Sequence, residues 1–203
     1  MNRLLCSAVI LILALIAGCA TTWTRIDAAN RSYHGEHYSV MLPIGWMRLE
    51  SSGNLLLSKD GVDLQRIIIE YHTHDKAFEK LNKASSASML PSELAELTLA
   101  ELEASQKDAL PSLKVISNSP VEIAGHAGFQ LHLSFKTDEG LRVEMLMQGF
   151  ADADGYYLLT YRAPTLYYFE RDRGVFQSVS ASFHGKQTSG GVEGHLQPDH
   201  GPG

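Results

Sequence analysis

The chain has 203 residues, with 17 lysines and arginines against 23 aspartates and glutamates, so its formal net charge at pH 7 is −6. An acidic chain without a basic cluster is a poor partner for nucleic acid or for anionic lipid headgroups. Its two cysteines, Cys6 and Cys19, both lie near the N-terminus, so the remainder of the chain has neither a disulfide nor a thiolate metal ligand.

The first 18 residues have the pattern of an export signal. Arg3 precedes an apolar run over residues 4–14, which is shorter than the about 20 residues that span a bilayer. The segment Ile16-Ala17-Gly18-Cys19 resembles the lipobox that ends a bacterial lipoprotein signal peptide. The resemblance implies cleavage before Cys19 and attachment of fatty acids, palmitate among them, at its sulfur and its new amino group.

Such cleavage would leave 185 residues with a net charge of −7, since Arg3 is removed. The acyl chains alone would then hold the protein at the membrane, because each buried methylene contributes about 0.8 kcal/mol. By resemblance to other bacterial lipoproteins, Ala20 in place of an aspartate implies sorting to the outer membrane of a Gram-negative cell. We expect the domain to face the periplasm, although the sequence leaves surface display open.

Two polar segments are predicted to flank one domain. Residues 19–35 are predicted to form the lipidated Cys19 and a flexible tether, because they are polar and show no periodicity. Residues 185–203 are rich in glycine and poor in apolar side chains, which predicts a disordered tail. The domain itself is predicted over residues 36–184.

Short apolar runs predict strands over residues 38–42, 55–58 and 64–71, the last of which contains Ile67-Ile68-Ile69. Pro91 opens a predicted helix that ends near Lys107. A strand over residues 156–161 is apolar on both faces and is therefore predicted in the interior of the sheet. A last helix is predicted from Thr165, with Gly174 as a candidate break.

Residues 129–147 have the clearest local pattern, a hairpin of two alternating strands joined by Thr137-Asp138-Glu139-Gly140. A type I turn with Gly140 in the left-handed region would place Thr137 opposite Leu141. The register that follows pairs Phe135 with Val143 and Leu133 with Met145. Together the elements predict an α+β domain in which a central antiparallel sheet packs between helices.

The segment Leu42-Pro43-Ile44-Gly45-Trp46, with the strand before it, resembles the opening strand and turn of PsbP-like proteins and their bacterial lipoprotein relatives. Residues 120–129 and 161–183 are similar to later segments of the same group, so the resemblance covers residues 36–184. It implies the PsbP-like or Mog1p-like α/β/α sandwich. It implies no chemistry, because plant members are extrinsic subunits of photosystem II and an import factor of this fold binds a small GTPase. No site residue is carried over.

Glu70, His72 and His74 are the candidate metal ligands. If the strand continues to His74, all three side chains lie on one face, and two imidazoles with a carboxylate suit a divalent metal. The alternative is a polar strand end with exposed histidines. His34 and His37 would add ligands only if the chain brought them near.

Other histidines and the tyrosines have simpler explanations. His126 and His132 are expected to be structural or solvated, and His195 and His200 are expected to be solvated tail residues. Five tyrosines offer either a protein interface or ordinary packing, and packing is favoured. They are Tyr156, Tyr157, Tyr161, Tyr167 and Tyr168.

Common catalytic motifs, such as G-x-S-x-G, H-E-x-x-H and phosphate-binding loops, do not occur in the sequence. The sequence therefore favours a non-catalytic protein without a cofactor, a membrane-anchored envelope module that binds or helps assemble another envelope component. Two alternatives stay open. One is a metal-dependent envelope enzyme that uses Glu70, His72 and His74; the other is a carrier that holds a small molecule between the sheet and the helices.

Overall fold

The computed structural model describes residues 22–51, 53–106, 110 and 112–186. The predicted signal peptide, Cys19 and residues 187–203 of the predicted tail lie outside the described residues. The strands are β1 (Thr24–Arg25), β2 (Ser32–His34), β3 (Tyr38–Met41), β4 (Met47–Ser51), β5 (Asn54–Ser58), β6 (Arg66–His72), β7 (Lys114–Ile123), β8 (His126–Lys136), β9 (Arg142–Ala151), β10 (Tyr156–Pro164) and β11 (His184–Gly185). The α-helices are α1 (Pro91–Ser105) and α2 (Glu170–Ala181).

Eight strands form one antiparallel sheet in the order β1-β4-β5-β6-β10-β9-β8-β7, and β2, β3 and β11 form a second, small sheet. Strand β10 lies between β6 and β9, so the predicted interior position of this strand is confirmed. The helices and the large antiparallel sheet confirm the predicted α+β class.

Side chains alternate along each strand, so the large sheet has two faces, and each face supports a hydrophobic core. One core lies between the sheet, α2 and the small sheet, and includes Ile67, Tyr161, Phe176 and Phe183. The other lies between the sheet and α1 and includes Leu131, Met145, Leu94 and Leu102. We call the second side the α1 face.

The β8–β9 hairpin has the predicted register. Phe135 lies opposite Val143, and Leu133 lies opposite Met145. The Thr137 N–H donates to the Leu141 carbonyl at 2.9 Å, and Gly140 has φ +81° as the turn requires. Helix α1 also begins at Pro91 as predicted and ends at Ser105, close to the expected residue.

The last helix differs from the prediction. The chain does not run straight into a helix at Thr165, because Leu166 and Tyr167 have non-helical backbone angles and Tyr167 has φ +76°. The Tyr161 hydroxyl donates to the carbonyls of Tyr168 and Phe169 at 2.9 and 3.1 Å and so holds this turn against the sheet. Helix α2 then continues through Gly174 without the break that its glycine suggested.

The predicted tether is wrong for residues 22–35, which are part of the domain. Strand β1 pairs with β4, and β2 pairs with β3. Ile26 is fully buried, and its backbone N–H donates to the Trp46 carbonyl at 2.8 Å. Strands of two and three residues are too short to show an alternating pattern, so no periodicity indicated them. At the other end β11 reaches Gly185, one residue past the predicted boundary.

Replacement of two glycines by alanine is expected to change stability in opposite directions. A Cβ at Gly128 would lie 2.5 Å from the backbone oxygen of Gly149, whereas a Cβ at Gly174 would meet nothing within 4 Å. We expect Gly128→Ala to lower the free energy of unfolding by about 2 kcal/mol or more. Gly174→Ala should raise it by about 0.5–1 kcal/mol, because alanine is the better helix former. Urea unfolding measures both, and a stable Gly128→Ala protein would contradict the strand spacing described above.

Candidate functional site

The groove on the α1 face exists because one helix covers only half of a wide sheet. Helix α1 packs on β7, β8 and β9, and the β4–β6 half of the same face carries half-buried side chains instead. At the edge of the helix a cavity of about 540 Å³ opens. Strands β6, β9 and β10 form its floor, while α1 and residues 73–79 form its walls. This volume lies within the range of small-molecule sites.

The register of the strands decides which side chains meet on the floor. Arg66 lies opposite Arg162, Ile68 lies opposite Thr160, and Glu70 lies opposite Leu158. All six line the groove. The floor therefore runs from a cationic end, through Ile68 and Thr160, to an acidic end. Four residues of β6 separate the two ends, which is about 13 Å.

The two arginines form the cationic end. The guanidinium carbon of Arg162 lies 4.9 Å from the centre of the Phe135 ring, and Arg66 makes a long contact of 3.5 Å to the Val62 carbonyl. Within the described residues neither guanidinium forms an ion pair with a carboxylate. Burial and the neighbouring charge of Arg66 lower the pKa of Arg162, and the charge of Asp63 works against that fall. This end of the groove therefore has positive charge to offer to a ligand.

Glu70 and His72 form the opposite end. Burial raises the pKa of the Glu70 carboxyl, and the charge of His72 works against that rise. Helix α1, which forms the wall beside them, is held to the sheet because the Tyr156 hydroxyl is hydrogen-bonded to Thr98 Oγ1 at 2.6 Å. The Phe78 ring lies 5.3 Å from the Tyr156 ring and closes this side.

The structure does not bring the candidate metal ligands Glu70, His72 and His74 together on one face. Strand β6 ends at His72, and His74 begins a 3₁₀ turn in which its Nδ1 contacts Ser85 Oγ at 2.8 Å. The strand thus stops two residues too early to put His74 on the shared face. Across the described part of the chain, no three histidine, cysteine or acidic residues are placed to hold a metal.

His34 and His37 do not complete this set either. The His34 ring contacts Ser32 Oγ at 2.9 Å. The His37 ring stacks on Tyr71, with 3.7 Å between centroids. Tyr71 projects from β6 on the side opposite to Glu70 and His72, so His37 lies away from them.

All five tyrosines except Tyr167, together with the hairpin histidines, have packing roles. Tyr156, Tyr157 and Tyr161 are fully buried, while Tyr167 is 66% exposed. His132 Nε2 lies 2.6 Å from Glu144 Oε2, and its ring stacks on Phe169 at 5.4 Å. His126 stacks on Phe150 at 4.7 Å. His132 therefore holds the residue before α2 against the sheet, and His126 packs β8 on β9.

Sequence reasoning missed Arg66, Thr160 and Arg162. Arg66 is two residues from Ile68 and four from Glu70, so the spacing along β6 already placed these three on one face. Nothing in the sequence showed that β10 would lie beside β6. The pairing of the two arginines across strands therefore had no local signal.

None of the helices in the described part of the chain has the length and apolar composition needed to cross a bilayer. No protein-family profile matches the sequence, and no curated protein matches it in sequence. Solved structures do match it. The protein Mog1, solved in a mutant form, is 10% identical with a TM-score of 0.50, over 77% of this chain and 98% of that chain.

Cyanobacterial PsbP (CyanoP) of Synechocystis sp. PCC 6803 is 14% identical with a TM-score of 0.49, over 85% of this chain and 99% of that one. LpqN of Mycobacterium tuberculosis, described as involved in cell envelope biogenesis, is 14% identical with a TM-score of 0.45, over 82% and 91%. The chain spans 46% of a longer matching protein from Bacteroides thetaiotaomicron. The likeness to Mog1 shows the fold, which is the PsbP/Mog1-like fold that the sequence resemblance implied.

The burial of Glu70 predicts a pH dependence of stability. Because the pKa in the folded protein is raised above the usual value of 4.5, ionisation of Glu70 costs stability as the pH rises through and beyond that value. We expect Glu70→Gln to raise the free energy of unfolding at pH 7 by roughly 1 kcal/mol, with the gain vanishing near pH 4. Chemical denaturation across this range measures it.

Glu122→Gln, on the exposed side of β7, is the matched control and should leave the curve unchanged. A loss of stability in Glu70→Gln at pH 7 would mean that the ionised carboxylate is stabilised rather than strained by its surroundings.

Proposed function

We propose that this chain is a non-catalytic envelope lipoprotein, anchored by lipid on Cys19 to the outer membrane, whose periplasmic domain binds or helps assemble another envelope component. One observation carries the proposal. The lipobox cysteine stands only five residues before Thr24, the first residue of a strand in the main sheet. A membrane anchor and a folded binding domain are therefore joined almost directly.

The short connection would restrict where the domain can sit. Five residue steps span at most about 18 Å when fully extended. Strand β1 is the edge of the large sheet, so this edge would be held next to the headgroups. Three strand spacings, about 14 Å, separate β1 from β6. The mouth of the groove would therefore open near the membrane surface.

The chemistry of the groove supports binding over catalysis. Its floor offers two guanidinium groups and an apolar strip, which hold a ligand by charge and by contact area. The enzyme alternative depended on a metal held by Glu70, His72 and His74, and His74 is instead engaged with Ser85. The carrier alternative is favoured by a specific observation, the 540 Å³ cavity between the sheet and α1.

The anchor is tested by Cys19→Ala. We expect metabolic labelling with radioactive palmitate to vanish from this variant. The fold should remain intact in circular dichroism, because its described core contains no cysteine. Cys6→Ala is the matched control, since it removes the other cysteine from within the signal and should leave the labelling unchanged. A labelled Cys19→Ala protein, or a wild-type protein that keeps Met1, would overturn the assignment.

The binding role is tested by crosslinking in intact membranes. A photoreactive amino acid at Leu90, which is 66% exposed beside α1, should capture the same envelope component in independent preparations. The same amino acid at Leu166, 85% exposed in the turn before α2 on the other side of the sheet, serves as the control. Failure to recover any reproducible adduct from the α1 side, with several crosslinkers, would count against a binding module.

A further inference from the structure

We infer that the groove binds an anionic amphiphile, whose acidic headgroup lies between Arg66 and Arg162 and whose acyl chain lies across Ile68, Leu56 and Leu49. This inference deepens the proposed envelope role and rests on it for the source of the ligand, which is the adjacent membrane. It names a ligand class, a single-chain lipid with a carboxylate or phosphate head, and the residues that would recognise each of its parts.

Charge complementarity points to an anion at the arginine pair. Side chains directly opposite on antiparallel strands have Cβ atoms about 5 Å apart. The two guanidinium groups are close enough for their charges to repel, since the charge of Arg66 lowers the pKa of Arg162. Arg162 is half-buried over Phe135, so water screens this repulsion only in part. A carboxylate or phosphate between the two guanidinium groups would remove the repulsion and accept several N–H bonds.

The acidic groups that line the groove favour the same placement. Two other charges oppose it: the charge of Asp63 acts on Arg162, and Lys76 lies on the wall formed by residues 73–79. Glu70 lies about 13 Å from Arg66 along β6 and disfavours an anion at that end. Glu101 on the α1 wall is already engaged, because its carboxylate accepts the backbone N–H groups of Lys80 and Leu81 at 2.9 and 3.1 Å. The arginine end is therefore the place where an acidic headgroup fits.

A row of apolar side chains leads from this end toward β1. Leu49 lies opposite Leu56, and Leu56 lies opposite Ile68, so all three share the α1 face. Each is half-buried although apolar. An acyl chain laid on the row would remove this surface from water. The row crosses β4, β5 and β6 and ends beside β1, the edge that the short connection to Cys19 would hold at the membrane.

The test uses the full-length protein in phosphatidylcholine vesicles, irradiated with palmitate that carries a diazirine on its chain. We expect peptides of β4, β5 and β6 to be labelled. Labelling should fall at least tenfold in Arg66→Gln/Arg162→Gln. Arg48→Gln/Arg173→Gln removes the same charge away from the groove and should label like wild type. Arg48 lies instead near Tyr33, and Arg173 pairs with Glu170 on the surface.

Two further probes define the headgroup. A diazirine alcohol of the same chain length should label at least tenfold less than the acid. A diazirine lysophosphatidic acid that outcompetes palmitate would identify a phosphate headgroup, and the reverse would identify a carboxylate; either result supports the inference. If millimolar inorganic phosphate, which has no acyl chain, competes with palmitate as well as the lipids do, the inference is overturned.

Folding of each variant is checked by thermal unfolding, and Arg162→Lys keeps the charge if the glutamine variant is unstable. Equal labelling by the acid and the alcohol, or unchanged labelling of the groove variant, would overturn the inference. A tenfold gain on removal of residues 187–203 would also do so, since the tail would then be the occupant. None of these outcomes changes the palmitate labelling of Cys19 or the crosslinking of an envelope component. Failure of this inference is therefore distinguishable from failure of the proposed function.

Discussion

The structure depends on strand β10, from which two tyrosines on opposite faces each hold one helical element. Tyr156 lies on the α1 face, and its hydroxyl is hydrogen-bonded to Thr98 in the middle of α1. Tyr161 lies on the other face, and its hydroxyl donates to the carbonyls of Tyr168 and Phe169 just before α2. Both rings are fully buried. The strand thus supplies apolar area to two cores and a polar anchor to each helical layer.

The position of α1 explains the groove. Tyr156–Thr98 and the apolar contacts with β8 and β9 place the helix over one half of the sheet. A single helix is about 10–12 Å wide, and strands are spaced about 4.8 Å apart, so one helix covers two to three strands. The sheet has eight strands, and the uncovered part begins at β6. The cavity lies where the side of α1 meets the uncovered face of the sheet. The arginines of β6 and β10 lie at the open end of this cavity.

The first part of the domain links this groove to the proposed anchor. Because β1 pairs with β4, the chain leaves the sheet at the edge nearest to the apolar row of Leu49, Leu56 and Ile68. Ile26 and Tyr33 are buried behind this edge, so the entry of the chain is fixed by the core and not by a loose segment. A lipid on Cys19 would therefore orient the domain as well as tether it.

Local sequence patterns determined the elements whose signals are complete within a short stretch. The β8–β9 hairpin has its turn residues and its alternating strands within residues 129–147, so its register followed directly. Helix α1 carries its own start signal at Pro91, and the apolar character of β10 on both faces indicated an interior strand. The segment that resembles a lipobox is likewise contiguous, which is why the resemblance could be stated without any structure.

Tertiary structure decided everything that depends on which strands become neighbours. Strands β1 and β2 are too short to carry a pattern and are held by pairing and by the burial of Ile26 and Tyr33. The pairing of Arg66 with Arg162 joins residues 96 positions apart, and no local pattern in the sequence indicates that they are neighbours. His74 does not share a face with the other two candidate ligands, Glu70 and His72, because β6 ends at His72. Periodicity reports only the faces of one element, whereas a binding site is built between elements.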